Sequence, residues 1–185
     1  MEFLFPFGWK EIEGIHDRSS FDLTQHSEFS GKDLSVMDEA TKERFVPAVV
    51  ETSAGVDRTA LALLANAYQE ELLEDGETRT VLHLHPVVAP IKVAVLPLSK
   101  KIGEPARKIA AALRRHWNVF YDESGNIGRR YRRQDEVGTP FCITYDFESE
   151  TDSQVTVRER DSMKQERVAE SQLEAYIRGR LEEGL

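Results

Sequence analysis

Pro86 and Pro90 bracket a short segment at which the chain changes its pattern. Proline lacks the backbone N–H that a helix or ladder needs and restricts the residue before it, so such a pair reads as a linker. Upstream, strand-like runs alternate with turns and one apolar helix. Downstream, apolar strand-like runs alternate with helical stripes, a pattern that calls for a parallel or mixed sheet with covering helices. The expected class is therefore α/β (α+β), with one module at residues 1–85 and a second at 86–185.

In the first module, residues 3–7, 11–16 and 44–50 read as antiparallel strands, with a short helix after Ser20 and a hairpin loop at residues 38–43. Leu61, Leu64, Ala65, Tyr68 and Leu72 recur at helical spacing, and the Glu74-Asp75-Gly76-Glu77 stretch reads as the stop of that helix. Residues 81–84 add a strand. His83 and His85 alternate onto one face of it, but with no third ligand nearby a zinc site is not expected. In the second module, residues 91–96, 118–121 and 141–147 read as strands. A helix near Pro105 carries the stripe Ile109, Ala110, Leu113 and Trp117. A second starts after Ser124-Gly125-Asn126, and residues 154–158 and 164–168 form a hairpin. Ser171 to Glu174 reads as a capping box opening a last helix with Leu173, Tyr176, Ile177 and Leu181 inward.

The sharpest chemical signal is residues 51–58, Glu-Thr-Ser-Ala-Gly-Val-Asp-Arg. An apolar run, residues 45–50, leads into it and the apolar helix leads out. Glu51 should sit where a strand ends and Arg58 about one turn into the helix. Gly55 permits close approach of backbone or ligand, and Ser53 reads as an N-cap whose surroundings favour anions. A capped helix with a nearby ion pair would give the same string.

The chain carries a formal charge of −9, which by itself argues against a nucleic-acid partner. The distribution argues otherwise. Between Pro105 and Arg133 stand eight cations (Arg107, Lys108, Arg114, Arg115, Arg129, Arg130, Arg132, Arg133) against Asp122 and Glu123, a local balance of +6 that leaves −15 elsewhere. That suits a partner gripped at one place, or a solvated helix face. The single Cys142, in the apolar run Phe141-Cys142-Ile143, reads as a core thiol in a reducing compartment. No apolar stretch approaches the roughly 20 residues of a membrane span, and residues 1–4 lack a basic signal-peptide start. A soluble, cytoplasmic protein with no membrane partner is expected.

Residues 51–58 resemble motif 3 of class II aminoacyl-tRNA synthetases. More narrowly, the chain resembles the dimeric glycyl-tRNA synthetase family, through Phe5-Pro6-Phe7-Gly8-Trp9, Glu11-Ile12-Glu13-Gly14-Ile15, Ser30-Gly31-Lys32-Asp33-Leu34, Ala89-Pro90-Ile91-Lys92-Val93, Ser124-Gly125-Asn126-Ile127-Gly128 and the run from Tyr131 to Phe141. The resemblance implies part of an antiparallel-sheet catalytic module with motif 3, then an anticodon-binding domain with a mixed five-stranded sheet and three helices. It further implies a ligase that joins glycine to ATP as glycyl-adenylate and passes glycine to tRNA-Gly. Motifs 1 and 2 of the family are not present in these residues, so the chain alone is expected to be inactive, and no catalytic residue is assigned.

Carried over position by position, the resemblance implies a glycine site at Glu51, Thr52, Ser53, Ala54 and Gly55. It implies ATP contacts from Glu11, Ile12, Gly55, Val56, Asp57 and Arg58, with Arg58 over the adenine and Glu11 toward Mg²⁺. Contacts to tRNA would come from Arg129, Arg130, Arg132 and Arg133, about half of which are expected in internal ion pairs with Asp135 or Glu136. The full-length family enzyme is a homodimer. Three departures from the family pattern stand out: Thr52 where proline is usual, Lys10 for a common glycine, and His16-Asp17 for small or neutral residues. The rival expectation is a non-catalytic nucleic-acid-binding accessory protein on a synthetase scaffold, against which the retained Glu51, Ser53 and Arg58 argue.

Overall fold

The structure, a computed structural model, describes residues 1–74 and 76–182. It divides into two compact units, Met1–Ala65 and Asn66–Leu185.

The first unit is built of small antiparallel ribbons. β1 (Glu2–Phe5) pairs with β2 (Gly8–Glu11) around a tight turn at Pro6-Phe7. Phe5 is buried there, with the Phe3 ring edge-on at 4.9 Å and Phe7 stacked at 5.1 Å. β3 (Glu13–Asp17) leads into α1 (Phe21–Ser30), which buries none of its residues. A short ribbon of β4 (Val36–Met37) and β5 (Arg44–Phe45) closes through a turn in which Asp38 accepts from the Ala40 N–H at 2.8 Å. β6 (Val50–Ala54) then pairs with β3, setting Glu51 opposite His16 and Ser53 opposite Gly14. Ser53 is thus a strand residue and not the expected N-cap. The Gly55 carbonyl accepts the first helical bond, from the Thr59 N–H at 2.9 Å.

α2 (Val56–Ala67) follows. It is shorter than its sequence stripe predicts, because Tyr68 and Leu72 belong to β7 (Tyr68–Leu72), which pairs antiparallel with β8 (Thr78–Leu82). Pairing with a partner strand here overrides local helical spacing. The expected helix stop is the hairpin turn, with Asp75 outside the described residues. Leu61 and Leu64, expected inside, are exposed, and in residues 1–65 only Phe5 and Ala62 are buried apolar side chains. An open apolar surface of this kind is ordinarily covered by further protein.

The second unit has an extensive buried apolar core. β9 (Val93–Val95) and a 3₁₀ turn (Lys100–Ile102) precede α3 (Gly103–Leu113). After it come β10 (Val119–Tyr121), α4 (Ile127–Val137), β11 (Phe141–Thr144) and a short α5 (Ser149–Asp152). β12 (Gln154–Glu159), β13 (Gln165–Ala169), a second 3₁₀ turn (Glu170–Gln172) and α6 (Leu173–Glu182) complete it. The five strands run in the order β10-β9-β11-β12-β13, parallel between β9 and its two neighbours and antiparallel beyond, which is the mixed sheet expected. Side chains alternate across it. Val93, Val95, Ile143 and Val157 face α3 and α6 through Ile109, Leu113, Leu173 and Ile177, whereas Ala94, Leu96 and Cys142 face Ile127 and Tyr131 of α4. The short α5 was not foreseen. Ser171 lies inside the second 3₁₀ turn and its hydroxyl makes no hydrogen bond among the described residues, so the expected capping box does not form.

The proline segment is no loose linker. Lys92 Nζ donates to the carbonyl oxygens of Pro86, Val87 and Ala89, the last two at 2.8 Å, and burial lowers the pKa of this amine below the usual lysine value.

Candidate functional site

In the first unit, the end of β2 and the start of α2 enclose a cleft of about 400 Å³ lined by Glu11, Ile12, Ser53, Gly55, Val56, Asp57 and Arg58. Strand order explains the grouping: β6 brings Ser53 and Gly55 to the helix start, and Arg58, one turn in, reaches back to donate to the Glu11 carbonyl at 2.7 Å. Every residue expected to contact a nucleotide therefore lies around one opening, with Ser53 of the expected amino-acid site beside them. The floor is a helix N-terminus carrying Arg58, an arrangement that favours anions. Glu11 and Asp57 add carboxylates suited to a hard cation that also holds phosphate oxygens.

Glu51 shares a strand face with Ser53, two residues along. Its carboxylate stands 3.4 Å from Arg18 Nε, but Arg18 is held chiefly by Asp22 through bonds of 2.9 and 3.0 Å. The hydrogen bond from Arg18 holds the Asp22 carboxyl below its usual range. Glu51 thus keeps capacity for a second cationic partner. Thr52 and Ala54 point to the other face of β6, so of the predicted amino-acid site Glu51, Ser53 and Gly55 are brought together and Thr52 and Ala54 are not. Sequence reasoning missed the closeness of His16: a Cβ on Gly14 would collide with His16 Nε2, so the imidazole lies over the glycine beside Ser53.

In the second unit the eight cations counted in sequence part company. Arg130 is 2% exposed and donates to the carbonyls of Pro97 at 2.8 Å and Asp122 at 2.9 Å. Burial lowers its pKa from the usual guanidinium value. Its donors are directed at internal carbonyls, which removes it from the surface set expected to touch RNA. Arg133 is tied to the Ser124 carbonyl at 2.9 Å and Asp122 at 3.2 Å. Burial works to raise the Asp122 carboxyl, but its bonds from Ser124 and the charges of Arg133 and Arg130 hold it below the usual value. Arg107 pairs with Glu123 at 2.7 Å, beside a Tyr121 hydroxyl that burial and Glu123 push up to about 12. Arg132 lies 3.5 Å from Asp135. Glu136, the other expected partner, is not among these pairs. Among the described residues the side chains of Arg129, Lys108 and Arg115 have no hydrogen-bond or ion-pair partner.

Beneath α4 lies a charge network that sequence reasoning did not find. Asp135, fully buried, takes Arg158 in a fork of 2.8 and 3.0 Å and stands 3.7 Å from Arg79 Nε. Arg79, with no exposed surface, donates to the Arg160 carbonyl at 2.9 Å. Arg160 donates to the carbonyls of Leu84 at 2.9 Å and Gly138 at 2.8 Å. His83 lies between Glu71 at 2.7 Å and Asp161 at 2.6 Å. No group of three or more His, Cys, Asp or Glu side chains suited to a metal occurs among the described residues. Cys142 is wholly buried, and burial pushes its thiol up to about 12, which suits a packing role. No helix among the described residues is long and apolar enough to cross a membrane.

Residues 92–180 match the family described as "Anticodon binding domain". Over 177 residues the chain is 58% identical to a protein named "Glycine--tRNA ligase" from Lachnospira eligens, an alignment covering 96% of this chain and 38% of the relative. The ligase of the same name from Geobacillus thermodenitrificans gives the same identity and shares. The chain therefore spans about two fifths of the length of these relatives. Among solved structures it is similar to the RNA binding domain of threonyl-tRNA synthetase from Cryptosporidium parvum Iowa II, with a TM-score of 0.70 and 18% identity over 96% of this chain and 41% of that one. Prolyl-tRNA synthetase from Cryptosporidium parvum gives a TM-score of 0.68 at 18% identity, over 95% of this chain and 36% of the other. These two likenesses concern the fold.

Proposed function

Since the chain is homologous across nearly its whole length to glycine–tRNA ligases, we propose that it is the part of such an enzyme that closes the ATP and glycine corner and grips the tRNA. The reaction of the whole enzyme would be ATP-dependent attachment of glycine to tRNA-Gly through glycyl-adenylate. The observation that carries this reading is the 58% identity over 96% of the chain, which takes in both the 51–58 corner and the matched domain. Functionally, residues 1–85 would belong to the catalytic module and 86–185 to the anticodon-binding domain, although the packing boundary falls earlier, between Ala65 and Asn66.

Within the corner, Arg58 would lie over the adenine, where stacking of a guanidinium on a π face contributes on the order of 0.5–2 kcal/mol. The phosphates would face the α2 N-terminus, with Glu11 and Asp57 as the carboxylates for Mg²⁺, an ion usually held by one or two carboxylates plus phosphate. Glu51 would accept from the glycine ammonium, a charge-assisted bond, with Ser53 beside it. The His16 ring over Gly14 narrows that face, and a tight wall rejects larger side chains by steric exclusion. On the second unit, Arg129, Arg132 and Arg133 remain as tRNA contacts, with Arg130 in a supporting role. The open apolar surface of the first unit supports a larger catalytic body around it. A homodimer is proposed for the whole enzyme by family likeness.

The test is titration of tRNA-Gly and anticodon-loop variants into the 185-residue chain at two salt concentrations, with glycine-dependent ATP–pyrophosphate exchange assayed alongside. Anticodon-dependent binding without exchange is expected. Binding that ignores the anticodon would favour an accessory nucleic-acid-binding protein.

A further inference from the structure

A second cleft, of about 420 Å³, lies on the α4 side of the sheet and is lined in part by Glu77, Arg129, Arg132, Met163 and Gln165. Its cationic side is α4. Arg129 is exposed, sits in the first helical turn and has no partner among the described residues, so its charge and the helix N-terminus both favour a phosphate. The Arg132 guanidinium approaches Met163 Sδ at 3.9 Å, which holds a polarisable apolar surface in the cleft.

The other side is unexpected. Glu77 belongs to the turn of the β7–β8 hairpin and lies outside residues 92–180, the span matched to the anticodon-binding family. The hairpin is fixed to the sheet by the Arg79, Arg160 and His83 contacts described above. A close approach at Gly138 seats it further: a Cβ there would lie 2.9 Å from the Leu82 carbonyl oxygen. β8, which Glu77 directly precedes, is therefore held in place beside α4.

A cleft with an unpaired arginine, a thioether and one carboxylate matches a single unstacked nucleotide. The phosphate would go to Arg129, the base face to Met163, and the base edge to Glu77. A carboxylate only accepts hydrogen bonds, so it selects an edge that donates, such as the exocyclic amine of cytosine, and disfavours one that presents only acceptors. Resting on the tRNA-binding reading above, we propose that the β7–β8 hairpin supplies Glu77 as a specificity-determining residue for one loop nucleotide, in a subsite shared with Arg129 of α4.

The experiment titrates tRNA-Gly and single-base anticodon-loop variants into the 185-residue chain and into its Glu77→Gln, Arg129→Ala and Glu136→Gln variants. Glu77→Gln is expected to reduce discrimination at one loop position by roughly tenfold. Glu136→Gln removes the same charge from an exposed site on α4 and should leave discrimination unchanged. Arg129→Ala should weaken all sequences alike and lower the salt slope by about one. If Glu77→Gln keeps every discrimination ratio of the parent, the subsite is wrong and the tRNA-binding reading stands. If the parent itself discriminates nothing, that reading falls and the subsite with it.

Discussion

Asp135 and Arg158 form a two-pronged ion pair with almost no access to water, at 2.8 and 3.0 Å, and the same carboxylate is approached by Arg132 and Arg79. One anion thus balances several cations in a place where an unmatched charge is costly. Asp135→Asn should lower stability by about 3–5 kcal/mol, read as a shift of the urea midpoint at unchanged slope. Replacing the pair together, with Asp135→Leu and Arg158→Met, should recover part of that loss. Recovery would remain incomplete because Arg79 loses its neighbour in both variants.

Gly138 ends α4 in the left-handed region, at φ 82°, against the Leu82 carbonyl. The conformation alone costs a non-glycine residue about 1–2 kcal/mol, and the added methyl would push on backbone. Gly138→Ala should destabilise by at least that amount, with early loss of amide protection in β8, measured by hydrogen exchange.

These two contacts show where the sequence was legible. Val93, Ile109, Leu113, Ile143 and Ile177 announced themselves by period, so the sheet and its covering helices followed from pattern. Residues 68–72 did not. Tyr68 and Leu72 sit at helical spacing behind a helix, and only pairing with residues 78–82 makes them strand. In the Arg-rich stretch 129–133 composition pointed outward, whereas the i, i+4 pair Arg130 and Gln134 gives the buried face, with Gln134 accepting from Thr139 at 2.7 Å. The 51–58 string marked the turn from strand into helix, but Arg18 beside Glu51 depends on the pairing of β3 with β6, which a single sequence does not print, and the His16 ring folds back over Gly14 of its own strand, a side-chain rotamer that residue spacing does not give.

Cys142 offers a pH prediction. Burial raises its thiol to about 12 in the folded protein, above the value of about 8.5 for a free thiol. The stabilisation is therefore fully present below about pH 8.5 and drains away as pH rises toward 12, at up to about 1.4 kcal/mol per unit. At pH 8 iodoacetamide should leave the folded thiol unreacted and label it quickly in urea. Fast labelling of folded protein would mean that Cys142 is reached by local opening.

For Arg58 the readout lies in a complete ligase carrying this segment. Arg58→Ala should reduce kcat/KM for ATP roughly 2- to 30-fold in ATP–pyrophosphate exchange, the range that 0.5–2 kcal/mol of stacking implies. Arg58→Lys should recover little, since an ammonium lacks the planar face. An unchanged kcat/KM would place the adenine elsewhere.

The β7–β8 hairpin belongs by packing with a domain whose family span begins only at Lys92. Cut loose at that point, the sheet would leave an Arg160 donor and its own carbonyl without the Leu84 and Arg79 partners that now satisfy them. For dissection at the bench, the piece that keeps its buried donors and acceptors matched is therefore hairpin plus sheet, starting near Asn66.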